Sequence, residues 1–435
     1  MTLALVAFLG VATVLAMVML WPTGDGRDNA IVQADEIGLA TQRLSATVHE
    51  VRDGPCSYST ADNPQDCREV TFLLHEGPEA GAIIVLPEFN STFDRTAADL
   101  SVGDQVILGF EDSTNNYFYA DRDRRTSLGW LTGLFIAVVI ALGRFRGALA
   151  LLAMASTIVV LVLFVAPSVL DGNDPLVVSV VAASAIAFIS LYLTHGFSPT
   201  TTVALAGTLG ALGLTLGLSW LFFELANFSG LATEAGVVLP FIAEDINLAS
   251  LLLGGAVLGA LGALDDVTVT QVATVSELRY RNPELTTAEL VVSGVRVGRE
   301  HIASTVNTLL LAYAGASMPI LLLIAASDQS LAMAANSELV AVEIVRTLCG
   351  SIGLVAAVPI TTALAAIVST RDVAESVDPT ETPPNRSEAN TVAATHESTP
   401  AAQDLPADSS QSSGSDAARP PAWDDFAPRD DGADW

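Results

Sequence analysis

The stretch NLASLLLGGAVLGALGALDDVTVTQVATVSEL, residues 247–278, runs apolar from Leu248 to Leu264 and then meets two adjacent carboxylates, Asp265 and Asp266. A run of this length reads as a helix that crosses a bilayer, since about 20 mostly apolar residues span a hydrocarbon core of about 30 Å. An ionised carboxylate at bilayer depth costs about 2.5–3.5 kcal/mol on insertion scales. A segment that served only as an anchor would carry leucine there. The acidic pair marks this segment both as a span and as a candidate site.

Seven more apolar runs surround it, so eight spans are expected, at 3–20, 128–142, 148–169, 176–194, 200–223, 248–270, 302–325 and 341–369. The expected fold class is mainly α: a polytopic helical membrane protein with a small extracytoplasmic β-domain and a disordered C-terminal tail. Residues 1–24 form an N-terminal anchor, with a cleavable signal peptide as the alternative. Residues 25–127 form the outer β-rich domain, 128–370 a seven-helix body, and 371–435 the acidic tail. The net charge of −29 sits mostly in the outer domain and the tail. That acidity argues against nucleic acid, which needs Lys and Arg to neutralise phosphates. The basic residues are all arginine, which reads as a compositional habit.

Arginine in short loops sets the orientation. The loops with Arg144 and Arg146, and with Arg279, Arg281, Arg296 and Arg299, are expected inside. The loops around 171–175, 224–247 and 327–337 carry acids and no arginine, so they face outward, and both termini are cytoplasmic. In the outer domain, 41–51, 69–74, 82–86, 105–110 and 116–120 are rich in β-branched and aromatic residues and are separated by turn formers. They read as five strands, on the pattern of an OB-like barrel. Cys56 and Cys67 flank the first loop and are expected to pair outside the cell, the alternative being two free thiols. Cys349 reads as packing. The tail lacks the large apolar residues needed to offset ordering entropy; its end, 423–435, alternates acids with aromatics and is a candidate docking peptide for a cytoplasmic partner.

Between spans six and seven, Asn282-Pro283 ends one helix and Thr286-x-x-Glu289 opens another as a capping box. On the first helix Asp266, Thr270, Ala273 and Glu277 share a stripe, with Asp265 about 100° away. On the next, Glu300, Ser304, Asn307, Leu311 and Gly315 share one, with Arg299 beside it. The stripes are expected to meet, Arg299 pairing with Asp266 or Glu277. Buried membrane carboxylates commonly mark an ion path; the alternative is a structural clamp in cytoplasmic water. Pro319 and Pro359 are expected to interrupt their spans, Glu343 to pair with Arg346, and His195 to be an exposed loop residue. Gly255, Gly259 and Gly262, with Gly210, Gly213 and Gly217, are expected to let helices approach closely. No Walker loop, HExxH, Cys/His cluster or GxSxG is present, so no enzyme, metal or cofactor is expected.

The stretches at 247–278, 282–300 (NPELTTAELVVSGVRVGRE), 304–319 (STVNTLLLAYAGASMP) and 343–361 (EIVRTLCGSIGLVAAVPIT) resemble the YibE/F family of multi-pass membrane proteins. The resemblance places Asp266 at the family's single acid, with Asp265 an addition, and matches Asn307, Gly298-Arg299-Glu300 and Pro319. It implies a bacterial plasma-membrane protein and supplies no reaction. From the polar stripes, the expected function is permease-like: Asp265, Asp266, Thr270, Glu277, Arg299, Glu300, Asn307 and Pro319 line the path of a small solute or ion. The alternative is a non-transporting scaffold or envelope sensor using the outer domain and tail. Oligomeric state is left open.

Overall fold

Several helices begin here where a side chain satisfies a free backbone N–H of the first turn. The computed structural model describes residues 2–37, 41–90, 99–111, 114–243, 245–327 and 330–376. Of the tail expected to be disordered, residues 371–376 instead continue the last helix, and 377–435, with the expected docking peptide, lie outside the described residues. The helices are α1 (Thr2–Met19), α2 (Asp25–Glu36), α3 (Arg125–Val160), α4 (Ala166–Leu170), α5 (Pro175–His195) and α6 (Pro199–Ala226). They continue as α7 (Glu234–Ile242), α8 (Leu248–Arg281), α9 (Thr287–Ala316), α10 (Met318–Ala326), α11 (Leu331–Asn336) and α12 (Glu338–Ser376). Asp174, Ser198 and Asn247 cap α5, α6 and α8, and at Thr286 and Glu289 both bonds of the capping box form.

By length and composition six helices can cross a membrane, or seven if the bent pair α9–α10 counts as one span. The eighth expected span is absorbed in the element Arg125–Leu170, which continues from α3 through a π-helical turn at Leu161–Val165 into α4. That element folds at Arg144, where φ is 51° and ψ −131°. Gly147 there lies against the Val139 carbonyl, whereas eight residues of straight helix would separate them by about 12 Å. The chain doubles back.

Among the described residues six antiparallel strands make the sheet: β1 (Gln42–Pro55), β2 (Asp66–Leu74), β3 (Ile83–Val85), β4 (Phe89–Asn90), β5 (Gln105–Glu111) and β6 (Asn116–Arg122). Their order is β3-β2-β1-β5-β6, with β4 also on β2. Alternating residues Leu44, Ala46 and Val48 of β1 and Val70, Phe72 and Leu74 of β2 bury against Val106 and Leu108. The barrel expectation is corrected: β3 and β4 are three and two residues long, both pair with β2, and the described ladders leave the sheet open. Cys56 and Cys67 form a disulfide at the end of the β1–β2 ladder. The sequence reading also missed α2, whose polar composition gives no apolar stripe.

The segment that leads into the sheet is fastened to the helical body. Asp171, just after α4, accepts hydrogen bonds from the amides of Gly24 (3.2 Å) and Gly26 (2.9 Å) and from the Thr23 hydroxyl (2.8 Å). It thereby caps α2, whose own N-cap residue, Gly24, has no side chain to do so. Burial resists ionisation of Asp171, but these donors prevail and hold its carboxyl below the ordinary range. Beneath it, Ser168 donates to the Leu20 carbonyl at 2.8 Å.

Candidate functional site

Helix α8 is 34 residues long, about 51 Å at 1.5 Å per residue, and Asp265 sits near its midpoint. One face is packed. Leu253, Val257, Leu264, Thr268, Gln271 and Val275 are buried there against α5, α6, α9 and α12. The Thr268 and Thr208 hydroxyls meet at 2.6 Å, and the Gln271 amide donates to the Gly294 carbonyl and to Thr362 Oγ1, both at 2.7 Å.

Close approach in this bundle repeats one device, a glycine set against a polar side chain of the neighbouring helix. Gly254 meets Ser179, Gly207 meets Thr361, Gly353 meets Thr215, and Gly298 meets Gln271 and Val358. A Cβ at any of these would overlap its neighbour. The expected packing glycines are mostly different ones. At Gly213, Gly217, Gly255 and Gly262 an added Cβ meets nothing within 4 Å, and at Gly210 and Gly259 it meets one neighbour each, Ile360 and Tyr313. Small residues at helical spacing occur on both faces, and the sequence does not say which face is filled.

The other face of α8 is open. Gly255, Gly259, Gly262 and Asp266 follow one another at helical spacing and are all exposed. Asp266 and Asp265 border a cavity of about 570 Å³ with Arg146, Ser190, Thr194 and His195. The fold at Arg144 brings Arg146 there, and the end of α5 brings Ser190, Thr194 and His195. Ser190 Oγ donates to Asp265 Oδ2 at 3.3 Å, while Asp265 Oδ1 is buried without a hydrogen-bond partner. Among the described residues no ion pair joins either aspartate to Arg146 or His195, and no three acid, His or Cys side chains gather as a metal site.

The expected path residues divide. Thr270 stays beside the acids and donates to the Asp266 carbonyl at 2.8 Å. Glu277 pairs with Arg281 on its own helix at 2.7 Å, with both side chains more than half exposed. Arg299, Glu300 and Asn307 are exposed on α9, and no ion pair of Arg299 with Asp266 or Glu277 forms. The reason is rotation: α9 turns Gly294 and Gly298 toward α8 and α12, which carries Arg299 and Glu300 about 100° and 200° round from Gly298. Pro319 lies at the start of α10, just beyond a 65° bend, so the helix is interrupted there as expected. Pro359 lies inside α12, which runs through it without a break. Glu343 and Arg346 pair at 2.9 Å, partly buried, and Cys349 is buried.

A family model described as YibE/F-like protein matches residues 131–371. That is more than half of the 435 residues. The chain belongs to the YibE/F-like family. No curated protein and no solved structure matches it. The matched YibE/F-like region runs from within α3 to within α12, so it holds the packed glycine contacts and every residue of the two-acid cavity. Arg146, Ser190, Thr194 and His195 were missed as site residues because they come from two other helices. The one sequence signal for them was position: each lies within a few residues of a span end that the arginine pattern assigned to the same side.

Proposed function

We propose that this YibE/F-like chain is a permease-like protein of the bacterial plasma membrane, with the two-acid cavity as the cytoplasmic mouth of a path for a small solute or ion. The reading uses eight crossings, counting the two limbs of α3 separately and α9–α10 as one broken span. Both termini are then cytoplasmic, and the cavity opens on the side that carries Arg144, Arg146, Arg279 and Arg281. The observation that carries it is Asp265: a carboxylate midway along a membrane helix, one oxygen buried without a donor, beside an open space. A group kept at such a cost is a functional candidate by default. The proposal involves no covalent chemistry, and lipid is the surrounding partner.

The test is charge movement on a solid-supported membrane carrying the full chain in proteoliposomes, with jumps of proton, sodium, potassium and small organic anion and cation concentrations. The expected result is a transient current for one class, lost in Asp265→Asn and Asp266→Asn. If either variant folds and keeps the current and the cellular phenotype, the path is lost. A second reading, an envelope sensor that signals through a partner of the tail, draws support from the Asp171 contacts, which couple the outer segment to the helices. On that reading, deleting 372–435 or the sheet abolishes function while Asp266→Asn does not.

A further inference from the structure

Helix α9 carries a polar face that no part of the described chain covers. Gly294 and Gly298 are buried toward the bundle, and Ile302 and Val306 pack against its core. Glu300, Ser304 and Asn307 fall within about 60° of one another on the opposite side and are exposed. Among the described residues, neither the Asn307 amide nor the Ser304 hydroxyl has a side-chain hydrogen bond, and neither Arg299 nor Glu300 has an ion partner. Asn307 is about 12 Å further along the helix than Arg299, at 1.5 Å per residue, so the face runs from the arginine-bearing end into the apolar part of the span. Lipid tails offer these groups nothing, and polar side chains on membrane helices are instead met by another helix.

We infer that this face is the interface between two copies of the chain, paired through α9 about a two-fold axis along the membrane normal. Copies inserted the same way present parallel α9 helices, so each position meets its own counterpart and near neighbours. An isologous contact of that kind must be self-complementary. Adjacent Arg299 and Glu300 meet the requirement, because the arginine of each copy reaches the glutamate of the other, twice. Asn307 meets it too, since a carboxamide both donates and accepts. The pairing uses none of the cavity residues and stands apart from the permease reading.

Cysteine cross-linking of the full chain in native membranes tests it, in a Cys349→Ala background, with copper phenanthroline as oxidant. Ser304→Cys and Asn307→Cys are expected to give an adduct at twice the 45.2 kDa chain mass, and Ile302→Cys, which faces the bundle, is not. Arg299→Glu is expected to lower the dimer yield at position 307 at least fivefold, and adding Glu300→Arg to restore it. The inference is overturned if neither cysteine yields that adduct in inserted protein at normal level. It is equally overturned by an adduct of another mass, by equal cross-linking at Ile302, or by a charge swap that restores nothing.

Discussion

The two faces of α8 use similar residues to opposite ends. On the packed face, Gly254 and the facing Gly298 bring backbones close, and the polar side chains Thr268 and Gln271 find partners on α6, α9 and α12. On the open face, Gly255 and Gly262 leave space that nothing fills, and Asp265 keeps an oxygen without a donor. Glycine and polar side chains therefore carry no fixed meaning in a membrane helix. What stands opposite decides whether they hold the bundle together or line an opening.

The sharpest way to break this contrast is to add bulk to each face. At Gly298 a Cβ would lie 2.5 Å from Val358 and 2.7 Å from Gln271. Gly298→Leu is expected to destabilise by about 3 kcal/mol, the upper range for overpacking, or to prevent folding. Gly262→Ala should raise stability by about 0.5–1 kcal/mol, since nothing opposes the methyl and alanine loses less backbone entropy than glycine in a helix. Thermal unfolding in detergent reads both, and similar costs at the two sites would erase the distinction between the faces.

The polar groups allow a second, smaller comparison. Gln271→Leu keeps volume and removes two hydrogen bonds, leaving buried Thr362 and the Gly294 carbonyl short of a donor; a loss of about 1–2 kcal/mol is expected. Asp265→Asn should behave the other way. Relieving a partly buried charge with one oxygen left without a donor is expected to leave stability unchanged or raise it by about 1 kcal/mol, while the charge movement disappears. A melting temperature that falls as far for Asp265→Asn as for Gln271→Leu would make the acid a structural clamp.

This asymmetry also explains what was legible beforehand. The long apolar helices, the break at Asn282-Pro283 and the capping box at Thr286 follow from local rules of apolar length and helix ends, and they are seen in the sequence itself. The family resemblance follows from contiguous motifs, and the matched region contains them. The residues that share the cavity with Asp265 do not, because Arg146 and Ser190 lie 119 and 75 positions away, and only the fold at Arg144 and the end of α5 bring them near. The polar positions of α9 share a face, but the sequence does not say where it points: its rotation depends on Gly294 and Gly298 finding α8 and α12, a long-range packing choice. The barrel failed for the same reason, since closure depends on pairing between β3 and β6 that local strand signals do not contain.

The smallest effect concerns a polar contact outside both faces, where water competes. Asp171 caps α2 from the far side of the chain, and Asp171→Ala is expected to cost about 1 kcal/mol, the usual worth of a cap, felt mainly as faster amide exchange over Thr23–Glu36. Its carboxyl is held below the ordinary value by the donors from Thr23, Gly24 and Gly26, against the opposing effect of burial. The cap's contribution is therefore complete above the unfolded value of about 3.9 and fades as pH falls through the lower folded value. Exchange protection at Gly24 and Gly26, compared at matched intrinsic rates, should hold from pH 7 to 5 and weaken only in stronger acid. In Asp171→Asn the same amides should show no such acid step. A step of equal size in that variant would assign the pH response to the acids Asp25 and Asp28 in the first turn of α2, and the segment before the sheet would then be held by its own helix rather than by the helical body.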